Sequence, residues 1–470
     1  MQITKREFLK KLGLAGAAGV TGAAFGDEWK PGRKGLPPGG CGDPDNYWFA
    51  QHIFPLEHTM TDGPSCTLRD GKVLEPAKEI PVFHQADVVV VGGGPAGFAA
   101  AIAAAKTGAK VALVERYGSL GGLFTNGMVL IVLATSARRD GAWHLVTDGV
   151  CGDFMRRAGK YGKEFSNPPN PEDSFPKGMW RPTIDPEWAK VLMDEMIAEQ
   201  KVEMFFHSWG VDVIQDGDKV LGVVFESKEG RQAILAKQVV DCTGDADMLF
   251  KAGGDYNQVT APISTVFRWG NMDTIKPSAE SRKARYPERG NEGNPDARWA
   301  GSTMATGNGL SVRDLSRIEI FERRQNWDYI MKMRTMSGYE KVYTTNSASQ
   351  LGVRQSRLIA AEFVMGRKEI AAGYDTSDTI GWCGQDGAHE AFPVVYRQIL
   401  PKKVDNLLCA GRCLGRGDTI DTFRLIGPCF VTGEAAGTAA ALAAKAGTTP
   451  RALDITLLRK TLAANGAYLG

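Results

Sequence analysis

DVVVVGGGPAGFAAAIAAAKTGAKVALVE (residues 87–115) decides how this chain is read. Val88 to Val91 is a run of β-branched residues, the pattern of a parallel strand buried on both faces. A glycine turn follows, then a helix of small residues that stops at Gly108. Val111 to Val114 predicts a second buried strand, which completes a βαβ unit. The turn glycines differ in what they do. Gly92 permits the tight turn, Gly94 lets the backbone approach a diphosphate, and Gly97 lets the helix close on the strand. Pro95 and Ala96 open the helix, whose N-terminus offers free N–H groups and partial positive charge to phosphate. Glu115 stands 23 residues after Gly92, where an acid accepts hydrogen bonds from ribose hydroxyls and disfavours a 2′-phosphate. The unit predicts a dinucleotide site.

Outward from this unit the chain is long, 470 residues, for which two or three domains are expected. Its formal net charge of +2 gives no sign of a nucleic-acid or anionic-membrane partner. The 56 glycines fit many tight turns and close backbone approaches. Eight cysteines include no Cys-x-x-Cys pair, so no zinc ribbon, thioredoxin-type site or other metal centre is expected. Cys41 and Cys66 are the one pair considered for a disulfide; the others read as small apolar core residues. A second block, Asp185 to Asp247, predicts a helix opened by Pro186 and then strands broken at DGD (216–218) and KEG (228–230). A third runs from about Val394 to the end, with a strand in NLLCAGR (406–412) and a helix in VTGEAAGTAAALAAKAG (431–447).

The stretches ADVVVVGGGPAGFAAAIAAAKTGAKVALVERYGSLGG (86–122), VVDCTGDAD (239–247), LGVRQSR (351–357) and NLLCAGRCLG…FRLIGPCFVTGEAAGTAAALA resemble the FAD-dependent oxidoreductase family with the glutathione-reductase-type FAD fold. The resemblance covers most of residues 80–447. It implies an α/β architecture: a Rossmann-like FAD-binding domain from 80–135, 200–255 and 394–470, with an inserted α+β substrate domain from 136–199 and 256–393. It also implies that Gly92, Gly94, Pro95, Ala96, Gly97, Glu115, Arg116, Gly121 and Gly122 bind the AMP and diphosphate parts of FAD. By the same resemblance Val211, Thr243, Gly244 and Asp245 form a second contact. Gly411, Arg412 and a helix start at Gly433, Ala436 and Gly437 lie near the ribityl chain and flavin ring. Small side chains in that helix would let its backbone approach a flat ligand. No second Gly-x-Gly-x-x-Gly follows a buried strand, so no nicotinamide site is expected and electrons exchange with a small molecule, a quinone or a redox protein.

Residues 1–26 carry a basic start (Lys5, Arg6, Lys10, Lys11) and a weakly apolar run, Leu12 to Phe25, too short to span a bilayer. TKREFLK (4–10) resembles the twin-arginine export signal with lysine at the first arginine. That route carries folded, cofactor-loaded proteins, so a periplasmic or otherwise exported protein is expected, with residues 27–79 as linker and extension and no integral membrane segment in the mature chain.

For the reacting end, His389 precedes the return into the FAD-binding part, and His207 ends a predicted strand. Arg354, Arg357 and Arg424 match arginine positions of the family. They could bind an anionic substrate in two-point fashion or serve internal ion pairs. His389, Arg424 and Arg354 are taken as the catalytic candidates. The expected activity is hydride transfer from an alcohol or amine carbon, as a dehydrogenase or oxidase. The alternatives are a reductase fed by a cytochrome or quinol, and a flavin-binding electron-transfer subunit without turnover.

Overall fold

The computed structural model describes residues 66–284, 296–301, 304–386, 390–416, 418 and 420–470. The export-signal reading of residues 1–26, most of the expected linker, Cys41 and His389 lie outside these residues. Cys66 is exposed.

The βαβ unit forms as its pattern predicts: β1 (Val82–Val91), α1 (Pro95–Lys106) and β2 (Val111–Val114). Val88 to Val91 are at most 2% exposed, as the β-branched run requires. Helices α2 (Val150–Gly159) and α3 (Pro186–Glu199) follow. Asp185 caps α3, its carboxylate accepting from the N–H groups of Glu187 and Trp188 at 3.0 Å. Next come β3 (Glu203–Phe205), β4 (Trp209–Asp216), β5 (Lys219–Ser227) and β6 (Gly230–Asp241). The DGD and KEG turns join β4 to β5 and β5 to β6. A short helix, α4 (Asp247–Lys251), ends this block.

One seven-stranded sheet organises the fold: six strands run in the order β4-β5-β6-β1-β2-β3, and the seventh, Leu407–Cys409, pairs with β6. Strand β6 changes partners along one edge. Its first half pairs antiparallel with β5, and Val239 to Asp241 pair parallel with Leu407–Cys409. The parallel half of the sheet therefore ends its strands together at Val91, Val114 and Asp241, the edge where ligands bind in open α/β sheets.

A smaller sheet of β7 (Val266–Gly270), β8 (Arg298–Gly301) and, after helix α5 (Val312–Met333), β9 (Tyr343–Ser347) carries a second core. Phe267, Trp269, Ile330, Met333 and Tyr339 fill it. The chain then returns to the main sheet through β10 (Leu407–Cys409) and the long helix α6 (Ile426–Ala446).

Helix α6 corrects one expectation. It begins at Ile426, seven residues before Gly433, so Gly433, Ala436 and Gly437 lie inside it and do not line the cleft. A Cβ added at Gly433 or Gly437 would overlap the carbonyl oxygens of Ala96 or Ala100 on α1. The small residues are there to let two helices touch backbone to backbone. Phe98, Phe154 and Phe430, with ring centroids 5.6–6.0 Å apart, tie α1, α2 and α6 together. Helix α2, expected in the substrate part, thus packs into the nucleotide-binding layers.

Candidate functional site

A cleft opens at the strand ends of the parallel sheet. Gly92, Gly94, Pro95, Ala96, Glu115, Arg116, Gly122, Thr243, Gly244, Gly411, Arg412 and Arg424 all line it, drawn from segments up to 332 residues apart. Gly97, Gly121, Val211, Asp245 and Arg354 do not.

The glycine turn shows a division of labour. Gly92 has φ +98°, and a Cβ there would stand 2.5 Å from Cys242 O. At Gly97 a Cβ would overlap Gly92 O. Those two glycines serve the protein's own packing. Gly94 does not: a Cβ there would meet only Gly122 Cα, at 4.0 Å. No side chain caps α1 at Gly94, so its first N–H groups face the cleft without a side-chain acceptor. Gly121 supports the turn from behind by donating its N–H to Gly93 O at 2.8 Å.

Glu115 is 5% exposed. Its Oε2 accepts from Gly93 N at 2.5 Å and its Oε1 from Tyr117 N at 2.8 Å. Burial pushes its carboxyl above the usual 4.5, against the pull of those two donors. Each oxygen keeps a further lone pair for a sugar hydroxyl. Arg116 leans over Tyr117 and Trp209, 4.9 and 5.7 Å from their ring centroids, and forms a flat wall that also lines the cleft. Val211 is the residue that the β4–β5 ladder skips, at a bulge between Gly210 and Asp212. Its neighbours Ser208 to Gly210 reach the cleft instead.

Asp241, which no sequence motif singles out, anchors the second loop. Its carboxylate accepts from Thr243 N at 3.1 Å, Thr243 Oγ1 at 2.7 Å, Met248 N at 2.9 Å and Leu249 N at 3.0 Å. Complete burial still holds its carboxyl up at about 6. Asp245 does not line the cleft and turns to protein partners. It pairs with Arg412 Nη2 at 2.7 Å and accepts from Ser356 Oγ at 2.5 Å. Arg357 is likewise internal, bound to Asp247 at 2.7 Å and to Asp245 O at 2.9 Å, over the Phe250 ring. Of the arginines weighed for substrate, Arg424 lines the cleft, beside Gly411, Ile426 and Cys429 at the start of α6. His207 lies in the β3–β4 turn with φ +54°. Cys409, Cys413 and Cys429 are buried thiols, and desolvation pushes each up, which disfavours the thiolate.

Glu434 is equally silent in the sequence. It is 3% exposed and reaches across from α6 to cap α2, accepting from Val150 N at 3.0 Å. Burial raises its carboxyl to about 7 from 4.5. A raised folded value means stability that is present below about pH 4.5 and lost as pH climbs through 7, about 3 kcal/mol in all. Glu434→Gln keeps the acceptor and removes the titration. Denaturant unfolding should then show the variant close to wild type at pH 4.5 and clearly more stable at pH 8. Parallel pH profiles would exclude Glu434 as the source.

An α/β sheet with a glycine turn at a helix N-terminus, an acid at the next strand end and a closing second loop defines a dinucleotide-binding protein of Rossmann-like fold. The FAD dependent oxidoreductase family matches residues 87–462, and the chain belongs to that family. Among curated proteins it is similar to a dihydrolipoyl dehydrogenase of Trypanosoma brucei brucei, 59% identical over 46 residues, 10% of each chain. It is also similar to a soluble pyridine nucleotide transhydrogenase of Chromohalobacter salexigens, 26% identical over 164 residues, 34% of this chain and 31% of that one. The chain thus spans less than a third of these relatives' length. A solved structure of a geranylgeranyl bacteriochlorophyll reductase-like protein from Thermoplasma acidophilum covers 82% of this chain and 84% of its own, at 15% identity and a TM-score of 0.41.

The cleft's residues fit FAD. Gly94 and the uncapped α1 N-terminus suit the diphosphate, Glu115 the ribose, and the Arg116–Tyr117–Trp209 wall a flat base. Bound there, FAD supplies hydride chemistry; the chain's residues hold it and set the charge around it.

Proposed function

We propose that this enzyme is exported folded and loaded with FAD, and that it oxidises a small anionic organic substrate by taking hydride from an alcohol or amine carbon. The observation that carries the reading is Arg424, a cation in the cleft wall beside the N-terminus of α6. A guanidinium and a helix N-terminus together favour a carboxylate or phosphate on the substrate and negative charge on a reduced cofactor. The smaller sheet within residues 256–393 is assigned to the substrate side. The antiparallel β4-β5-β6 meander feeding a parallel sheet supports the glutathione-reductase-type subclass. With one Gly-x-Gly-x-x-Gly in the sequence, the electrons are assigned to a quinone or redox protein.

Anaerobic mixing with a panel of hydroxy acids, sugar alcohols and amines tests the direction. Bleaching of the flavin band by a member of the panel supports it. A flavin that stays oxidised throughout, yet after photoreduction is rapidly reoxidised by unsaturated or other reducible acids, reverses it to a reductase. For export, replacing Lys5 and Arg6 with glutamine should retain the protein in the cytoplasm; undiminished export removes that part of the reading.

A further inference from the structure

Gln350 has no place in the glycine motif or in the second loop, yet it lines the cleft. It follows β9 in the smaller-sheet part of the chain, and its backbone N–H is held by Asn126 O at 3.1 Å. The residue is 9% exposed, and its Oε1 has no hydrogen-bond partner. That oxygen lies 3.9 Å from where a Cβ on Gly122 would stand, and the same point is 3.0 Å from Gly94 Cα, the N-cap of α1. The carboxamide therefore hangs over the place where the glycine turn leaves room. A buried carbonyl oxygen with no partner costs about 1–3 kcal/mol, and turning the carboxamide about its last bond puts the N–H at that point instead.

The segment that carries Gln350 is clasped to the nucleotide loops. Arg412 Nη1 donates to Val353 O at 2.6 Å, Gln355 Nε2 to Arg412 O at 3.1 Å, and Ser356 and Arg357 bind Asp245 and Asp247. The strap from Gln350 to Arg357 is thus positioned by the loop that closes the cleft, and its first residue points inward.

We propose that Gln350 is a FAD-binding residue whose carboxamide N–H donates to the diphosphate bridge. A carboxamide can present either its N–H or its C=O by turning about its last bond. A carboxylate at the same point offers acceptors only and repels the diphosphate.

The test uses the holoenzyme stripped of FAD and then titrated with FAD and with ADP, for wild type, Gln350→Leu and Gln350→Glu. Gln350→Leu should weaken both ligands about 10-fold, and Gln350→Glu about 100-fold at low salt, with the loss shrinking as salt is added. The stripped forms of wild type and Gln350→Leu should melt together, while FAD raises the variant's melting temperature less. Should Gln350→Glu fail to fold, Gln350→Leu decides alone. Wild-type affinity for FAD and ADP in Gln350→Leu would overturn the proposal, as would an equal fall in melting temperature with and without FAD, which marks a packing role.

Discussion

Gly94→Leu should yield a folded protein that does not hold FAD. No atom of the described protein beyond Gly122 Cα, at 4.0 Å, meets a Cβ there, so the side chain intrudes on ligand space and not on protein. Losing backbone approach to a diphosphate removes two or so charge-assisted hydrogen bonds, worth about 3 kcal/mol together, which is about 100-fold in affinity. The contrast is Gly97→Leu, three residues on. There a Cβ overlaps Gly92 O and lies 3.2 Å from Cys242 Cβ, so the β1–α1 turn cannot form. Far-ultraviolet circular dichroism and flavin absorbance separate the two: native signal without flavin for Gly94→Leu, and loss of soluble folded protein for Gly97→Leu. If Gly94→Leu retained stoichiometric FAD, the diphosphate would have to sit elsewhere in the cleft.

Breaking the Arg412–Asp245 pair should cost about 3 kcal/mol or more of stability. The two side chains are 10% and 15% exposed and 2.7 Å apart. Removing one partner leaves a charge largely out of water, which is far more costly than replacing both. Arg412 also donates to Val353 O at 2.6 Å, so Arg412→Met frees the Gln350–Arg357 strap from the Gly411–Arg412 loop as well. Urea unfolding should show the full loss in Arg412→Met and partial recovery in Arg412→Met with Asp245→Asn, because the neutral amide no longer needs the cation. Equal losses in the single and double variants would mean that the arginine acts through its backbone contacts and not through the pair.

Which residues are legible in the sequence follows from the range of the interactions involved. The β1–α1–β2 unit, the α3 start at Asp185–Pro186 and the DGD and KEG turns are local: strand periodicity, capping and turn chemistry operate within a few residues. The C-terminal helix is misread in role, because GEAAG has the same composition whether it meets a flat ligand or another helix; only the backbone of α1 against Gly433 and Gly437 separates the two. Val211 is skipped at a bulge in the β4–β5 ladder, and no local pattern marks a skipped pair. Asp245 and Arg357 look like ligand contacts for the same reason that they make good internal partners for Arg412 and Asp247: charge does not announce its counter-charge.

The α/β class and the FAD-dependent oxidoreductase family are legible in the sequence alone, as is the β1–α1–β2 unit whose glycine turn lines the cleft, since strand, turn, helix and acid lie within 29 residues and need no distant partner to be recognised. Tertiary structure alone decided that Asp241 anchors the second loop and that Glu434 caps α2. It also decided that Gln350, just beyond β9, lines the cleft and that Arg424, not Arg354, reaches the cleft wall. Those assignments join residues far apart in the chain, and which of them meet is settled by how the layers pack.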